Sequence, residues 1–296
     1  MAGRNEAMIG KICMVTGATS GIGKVTARAL AEQGATVIVV GRDPARSDAT
    51  VRAIRQQTGN SRVEHMLADL SSMQQVRDLA AQFKREHDRL HVLVNNAGAI
   101  FMMRHTSTDG LEMTFALNHL SPFLLTNLLL DVITASAPAR IVNVSSVVHV
   151  GMRLNLDHLQ RRWFDNGYSV YAQSKLMNLL FTYELARRLD GTGVTVNALH
   201  PGMVRSHFFT NNWGVLGKVI WRVISLPMIS PEQGAQTSIY LASSPEVEGV
   251  TGQYFVRCEP VRSSRASYDA DAQRRLWQVS AELTGLAYLS DIGTLS

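Results

Sequence analysis

The chain has 296 residues, 46% of them hydrophobic and 18% charged, a balance that excludes disorder and supports a packed globular fold. Its formal charge of +5 is scattered among acids, as in Lys84-Arg85-Glu86-His87-Asp88-Arg89, so no basic stripe for nucleic acid is expected. Two cysteines, Cys13 and Cys258, supply no disulfide framework and fit a reducing, cytoplasmic setting.

The alternation of short apolar runs with longer helical patterns predicts βαβ units around a parallel sheet. Strands are expected at Ile12–Thr16, Thr36–Val40, Val63–Leu67, His91–Asn95, Arg140–Ser145 and Val194–His200, with a last short one at Gln253–Val256. Their β-branched density suits strands buried on both faces. Helical periodicity fills Gly23–Gln33, Ala45–Thr58, Met73–Glu86, Leu111–Ala135 and Tyr171–Leu189. No repeat or long linker interrupts the series, so residues 1–296 read as one Rossmann-type, doubly wound α/β domain. Two stretches break the rhythm, Val147–Gly167 and Phe208–Ile229. Both follow strands at the edge where open α/β sheets bind ligands, which makes 208–229 a candidate substrate lid. The tail from 258 to 296 carries a predicted amphipathic helix, Asp271–Leu286, whose stripe of Ala272, Leu276, Val279 and Leu283 with Trp277 must dock on the domain or on a second subunit.

No uncharged apolar stretch reaches the roughly 18 residues of a membrane span. The oily segment Trp213–Ile229 is compatible with weak contact at a membrane surface, but Lys218, Arg222 and Pro227 interrupt it, and a lid over an apolar pocket explains it better. No secretory signal is expected at the start.

The first chemistry-bearing pattern is Thr16-Gly17-Ala18-Thr19-Ser20-Gly21-Ile22-Gly23, between a strand and a helix. Its glycines permit a tight turn and close backbone approach, and the helix N-terminus offers unpaired N–H groups to a pyrophosphate. At the end of the second strand, Asp43 would suit the ribose hydroxyls of NAD(H), whereas Arg42 would pair with the 2′-phosphate of NADP(H). Asp43 comes just after the strand and next to Arg42, whose guanidinium favours a phosphate, so NADP(H) is the preferred cofactor. Asp69 is placed to accept from an adenine amine or a backbone turn. Asn95-Asn96-Ala97-Gly98 ends the fourth strand with small and turn-forming residues near the cofactor.

The second pattern is Tyr171-Ala-Gln-Ser-Lys175, an i, i+4 pair on one helix face. A free phenol is a poor base at neutral pH; a neighbouring ammonium and an oxidised nicotinamide are expected to lower its pKa. Ser145 or Ser146 could donate to a substrate oxygen as it gains charge, and spacing does not choose between them. Asn118, in an apolar helical run, could bind a structural water, disturb local backbone pairing, or simply pack. His119 reads as a packed neighbour rather than a second base. Dispersed histidines and cysteines give no metal-ligand spacing, and Val144-Ser-Ser-Val-Val lacks the Gly-x-Ser-x-Gly of a serine hydrolase.

Taken in order, Thr16–Gly23, Asn95–Gly98, Asn118, Ser146, Tyr171/Lys175 and Pro201-Gly202 resemble the short-chain dehydrogenase/reductase family along nearly the whole chain. The gap from Ser146 to Tyr171, the run Leu176–Ala186, His200-Pro-Gly202 and Arg274-Arg-Leu-Trp277 are most similar to its retinol dehydrogenase-like branch, which includes WW-domain oxidoreductases. The resemblance implies Ser146 as the catalytic hydroxyl and Asn118 in a water-linked relay through Lys175 to Tyr171. It further implies a cofactor site of Gly17, Thr19, Ser20, Gly21, Ile22, Gly23, Arg42, Asp69, Leu70, Asn96, Ala97, Gly98, Tyr171, Lys175, Pro201, Gly202 and Val204. It also implies a lipophilic aldehyde, ketone or alcohol as substrate and assembly into homodimers or homotetramers, with Leu111–Ala135 and Tyr171–Leu189 offering a paired-helix interface. Alternatives are NAD-dependent oxidation of secondary alcohols, reduction of a conjugated double bond, and a non-catalytic NADP-binding regulator.

Overall fold

The computed structural model describes residues 7–154, 166–202 and 229–286. Its chain runs β1 (Ile12–Thr16), α1 (Gly21–Glu32), β2 (Thr36–Gly41), α2 (Pro44–Thr58), β3 (Val63–Leu67), α3 (Met73–Glu86) and β4 (Val92–Asn95). There follow α4 (Met113–Phe115), a π-helical turn (Ala116–Leu120), α5 (Ser121–Leu128), α6 (Leu130–Thr134) and β5 (Ala139–Val144). After a 3-10 turn (Val147–His149) come α7 (Gly167–Arg188), β6 (Val194–His200), α8 (Pro231–Ser243), β7 (Tyr254–Val256), β8 (Glu259–Val261), a 3-10 turn (Arg265–Tyr268) and α9 (Ala270–Thr284).

The eight strands form one sheet in the order β3-β2-β1-β4-β5-β6-β7-β8. All pairs are parallel except the final hairpin. Strand order reverses between β1 and β4, and an open crevice at the strand ends follows from that reversal. One apolar layer packs α1, α2 and α8 on the sheet through residues such as Leu30, Ile54 and Leu241. The opposite layer packs α3, α5, α7 and α9 through Phe83, Phe123, Phe181 and Leu276. Strands buried on both faces explain the continuous Val/Ile runs.

Three features depart from the sequence-based expectations. The single helix expected over Leu111–Ala135 is broken. Pro122 has no N–H to donate, and the backbone widens into the π turn just before α5, with Leu129 at φ −104 and ψ 2 separating α5 from α6. The sheet gains an eighth, antiparallel strand, because Arg257 (φ 54) and Cys258 (φ 66) form a tight turn without the Asn-Gly signature such turns usually carry. Helix α8 also escaped the periodicity reading, although Ser230 and Gln233 form a capping box and Pro231 opens the first turn.

Helix α9 answers the docking question left by the tail. Trp277 meets Phe123 and Phe181 edge-on or tilted at 5.0 and 5.9 Å, and the Arg188 guanidinium lies 4.2 Å above the Trp277 ring. The stripe packs on the chain's own α5 and α7, the surface expected to pair with another subunit.

Candidate active site

The turn from β1 into α1 is built by backbone shape. Gly17 has φ 64, and a Cβ there would stand 2.9 Å from the Ala97 Cα, so the β1 and β4 turns can touch only through glycine. A Cβ at Gly23 would lie 2.4 Å from Asn96 Nδ2 and 2.6 Å from the Gly17 carbonyl. Asn96 ties the two turns by donating from Nδ2 to the Thr16 carbonyl at 2.8 Å, while the Thr16 hydroxyl accepts the Asn96 and Ala97 N–H groups. Thr19 packs beside Gly41. Ser20 occupies the α1 N-cap position, yet its side chain makes no capping hydrogen bond and the first turn, including Gly21 and Ile22, holds no acid. Such a turn fits a pyrophosphate, since its N–H groups and helix dipole face outward without a built-in anion.

Arg42 is exposed at the end of β2. Asp43 is engaged as the N-cap of α2, accepting from the Arg46 N–H at 2.8 Å. Its carboxylate therefore has a structural task that competes with binding a ribose. Asp69 likewise closes a local turn, accepting from the N–H and hydroxyl of Ser71 at 2.9 and 2.7 Å. The following Leu70 is buried in the core. Pro201 and Gly202 follow β6, whereas Val204 and positions 208–228 of the expected lid lie outside the described residues.

At the other side of the crevice, α7 packs against β5 and β6 and brings Tyr171 and Lys175 to the turn after β5. Lys175 is buried, donates from Nζ to the Val144 carbonyl at 3.1 Å, and stands 5.5 Å from the Tyr171 ring centre. The Ser146 side chain lies close enough to the Tyr171 phenol to lower its pKa against the larger effect of burial. Ser145 is committed elsewhere, donating to the Lys175 carbonyl at 2.7 Å. That difference separates the two serines where spacing does not. A Cβ on Gly98 would be 3.2 Å from Asn118 Oδ1 and 3.5 Å from Lys175 Nζ, so these groups border one small space.

Asn118 sits within the π turn and is fully buried. It exchanges two hydrogen bonds of 2.9 Å with the Ala99 backbone and donates to Ser174 Oγ at 3.0 Å. Because residue 122 is proline, the Asn118 carbonyl has no i+4 N–H to accept from. Neighbouring His119 bonds Ser280 of α9 at 2.9 Å, and burial pushes its imidazole down to about 3. It is a packed neutral side chain, as expected.

In the protein alone, burial pushes the Tyr171 phenol up, with the Ser146 side chain a smaller opposing influence; the lowering expected with an oxidised nicotinamide beside it concerns the cofactor complex. Lys175 is itself pushed down to about 8 by burial. In the protein alone Tyr171 is thus firmly a proton carrier at neutral pH.

Sequence reasoning missed the support beneath this cluster. Asn95 donates to Asn143 Oδ1 at 2.9 Å and to Thr126 Oγ1 at 3.0 Å, and Asn143 donates to Thr182 Oγ1 at 3.0 Å. This buried ladder pins β4, β5, α5 and α7 together. Polar residues at strand-interior positions were its available signal. Among the described residues no group of three or more His, Cys, Asp or Glu is placed to hold a metal.

A family model described as short chain dehydrogenase matches residues 11–214. The chain belongs to the short-chain dehydrogenase family. Within it, similarity falls on the retinol dehydrogenase-like branch of these oxidoreductases. Human retinol dehydrogenase 13 is 44% identical over 94% of this chain and 85% of its own length. Mouse retinol dehydrogenase 12 is 42% identical over 96% and 89%. Among solved structures, a protein of Mycobacterium paratuberculosis superposes with a TM-score of 0.75 at 33% identity, covering 94% of each chain. The NADP complex of Pseudomonas aeruginosa RhlG gives 0.69 at 26% identity, covering 90% of this chain and 98% of that one. Short-chain dehydrogenases bind a nicotinamide cofactor, and the β1–α1 turn described above fits one.

Proposed function

We propose that the protein transfers hydride between NADP(H) and a lipophilic or bulky aldehyde or ketone, or the corresponding alcohol, with reduction favoured. The observation that carries this reading is the convergence of the Ser146 and Tyr171 hydroxyls with buried Lys175 and Asn118 across the crevice from an uncapped, acid-free phosphate turn.

When bound, the cofactor supplies or accepts the hydride. Gly17, Thr19, Ser20, Gly21, Ile22 and Gly23 would hold its pyrophosphate and Arg42 its 2′-phosphate. Asp69 and Leu70 would border the adenine, Asn96, Ala97 and Gly98 the middle of the molecule, and Pro201, Gly202 and Val204 the amide end. The preference for NADP(H) over NAD(H) is supported by exposed Arg42 beside an Asp43 already used as a helix cap.

Ser146 orients the substrate oxygen and donates to it as negative charge develops. Tyr171 holds a proton on its hydroxyl at neutral pH and passes it to that oxygen. Lys175 and the Asn118 carbonyl support replenishment of that proton. In the oxidative direction the same groups act in reverse. Exposed apolar side chains near this edge, Met103 at 72% and Val150 at 58% among them, favour a lipophilic substrate.

No described helix is long and apolar enough to cross a membrane. Assembly into a homodimer or homotetramer is part of the same reading. A panel of bulky aromatic ketones, long-chain aldehydes, retinal and their alcohols, run with both cofactors, tests the reading. Faster turnover of lipophilic carbonyls with NADPH supports it. Turnover confined to NAD or to small polar alcohols would overturn it.

A further inference from the structure

His149 closes the 3-10 turn that begins immediately after Ser146 and is buried at 1% exposure. Both ring nitrogens face backbone groups with only one possible role. Nδ1 lies 2.6 Å from the Ser146 carbonyl, which can only accept, so Nδ1 carries the hydrogen. The Ser264 N–H donates to Nε2 at 3.1 Å, so Nε2 carries none. The two partners therefore fix one neutral tautomer. The imidazole is also held edge-on against Tyr254 of β7, with ring centres 5.3 Å apart.

The far anchor is itself firm. Ser264 precedes the 3-10 turn Arg265–Tyr268, and the adjoining Ser263 hydroxyl contacts the Tyr183 hydroxyl and Ser267 Oγ, each at 2.6 Å. Tyr268 stacks on Tyr183 at 5.1 Å. Tyr183 belongs to α7, the helix that carries Tyr171 and Lys175. A continuous set of contacts thus runs from the C-terminal segment through His149 to the backbone of Ser146, and separately to α7.

We infer that His149 is a positioning residue, a tautomer-fixed bridge by which the segment around Ser264 sets the placement of the Ser146 backbone, and with it the hydroxyl, against Tyr171. This rests on the proposed catalytic reading. It extends that reading by giving the chain after β8 a part in the reaction, although none of its described residues belongs to the hydroxyl cluster. A misplacement of about 1 Å can cost on the order of 100-fold in rate, so one backbone hydrogen bond at Ser146 is enough to matter.

The two arms can be cut separately. In His149→Asn the amide nitrogen falls near the Nδ1 position and keeps the bond to Ser146 while losing the Ser264 arm. In His149→Gln the amide oxygen reaches toward the Nε2 position and keeps the Ser264 arm while losing Ser146. With carbonyl substrate and NADPH, both variants are expected to lose kcat with cofactor Kd unchanged, H149Q by roughly 10- to 100-fold and H149N, which keeps the Ser146 bond but not the Ser264 arm, by about 3- to 10-fold. Crystals of both should show Ser146 Oγ displaced from Tyr171, further in H149Q than in H149N. Parent kcat in H149N, or an undisplaced Ser146 in H149Q, overturns the inference. Should H149Q fail to fold, 15N NMR of the wild-type imidazole decides: a protonated Nδ1 with bare Nε2 supports the bridge, and the other tautomer or a charged ring at neutral pH refutes it. Should wild-type protein reduce no carbonyl in the panel, the proposed function fails on its own, and the displacement and tautomer measurements still decide the bridge.

Discussion

The two sides of the crevice are made by opposite means. On the phosphate side, Gly17 and Gly23 matter for what they lack, and the groups proposed to hold the cofactor are backbone N–H donors that any residue would bring if its side chain fitted. On the Tyr171 side, the proposed function comes from side chains that are costly to place there. Lys175 is buried with its charge disfavoured, and Asn118 sits in a π turn that interrupts a helix. One half should fail when atoms are added, the other when they are removed.

The sharpest contrast is Lys175→Met. Activity should fall by roughly 10²- to 10⁴-fold, while the Tm of the protein alone rises by several degrees, on the order of 1–3 kcal/mol, because a disfavoured buried cation is replaced by an apolar chain. Thermal scans and steady-state kinetics on one preparation check both; a lower Tm would show that the bond to Val144 outweighs the desolvation. On the opposite side, Gly23→Ala should weaken cofactor binding by roughly 10- to 100-fold with kcat at saturating cofactor nearly intact, measured by fluorescence titration. Unaltered affinity would mean that Asn96 and the Gly17 carbonyl yield easily, and the close-approach argument would be lost.

Arg42→Ala addresses selectivity within the phosphate side. The ratio of kcat/KM for NADPH over NADH should drop by about 10- to 100-fold, the worth of one charge-assisted hydrogen bond or two. An unchanged ratio would remove Arg42 from the 2′-phosphate site. The smallest effect concerns support rather than chemistry. His119 binds its proton only near pH 3 when folded but at its ordinary pKa of 6.5 when unfolded. Between those values the unfolded chain holds the extra proton, so stability falls as the pH drops through that window, by about 1.4 kcal/mol per pH unit. In His119→Gln the slope of stability against pH should flatten there, whatever happens to its absolute value. Urea titrations at several pH values supply the comparison.

The same division explains what could be read from the sequence. β1, β3 and β6 were legible to the residue because each is a short apolar or β-branched stretch bounded by turn-forming residues, such as Gly17 after β1, Gly59-Asn60 before β3 and Pro201-Gly202 after β6. The candidate residues were legible as an ordered set, since Tyr171/Lys175 is cheap alone and informative behind Gly17–Gly23. The break at Asn118 was not, because the periodicity of Leu111–Ala135 continues through the π turn while Pro122 alone signals trouble. Nor could the pattern give the direction at Tyr171, where solvent exclusion by the whole fold raises the phenol in the protein alone. The β7–β8 hairpin and the His149 bridge depend on contacts between segments far apart in the chain, which local pattern does not encode.

The central claim is that the Tyr171 hydroxyl delivers the proton that accompanies hydride transfer. A single-turnover measurement with Tyr171→Phe, NADPH and a bulky ketone tests it most directly. Oxidation of the bound cofactor should slow by roughly 10²- to 10⁴-fold while cofactor Kd stays within about twofold of the parent, a difference below 1 kcal/mol. A variant that oxidises NADPH at the parent rate would contradict the account.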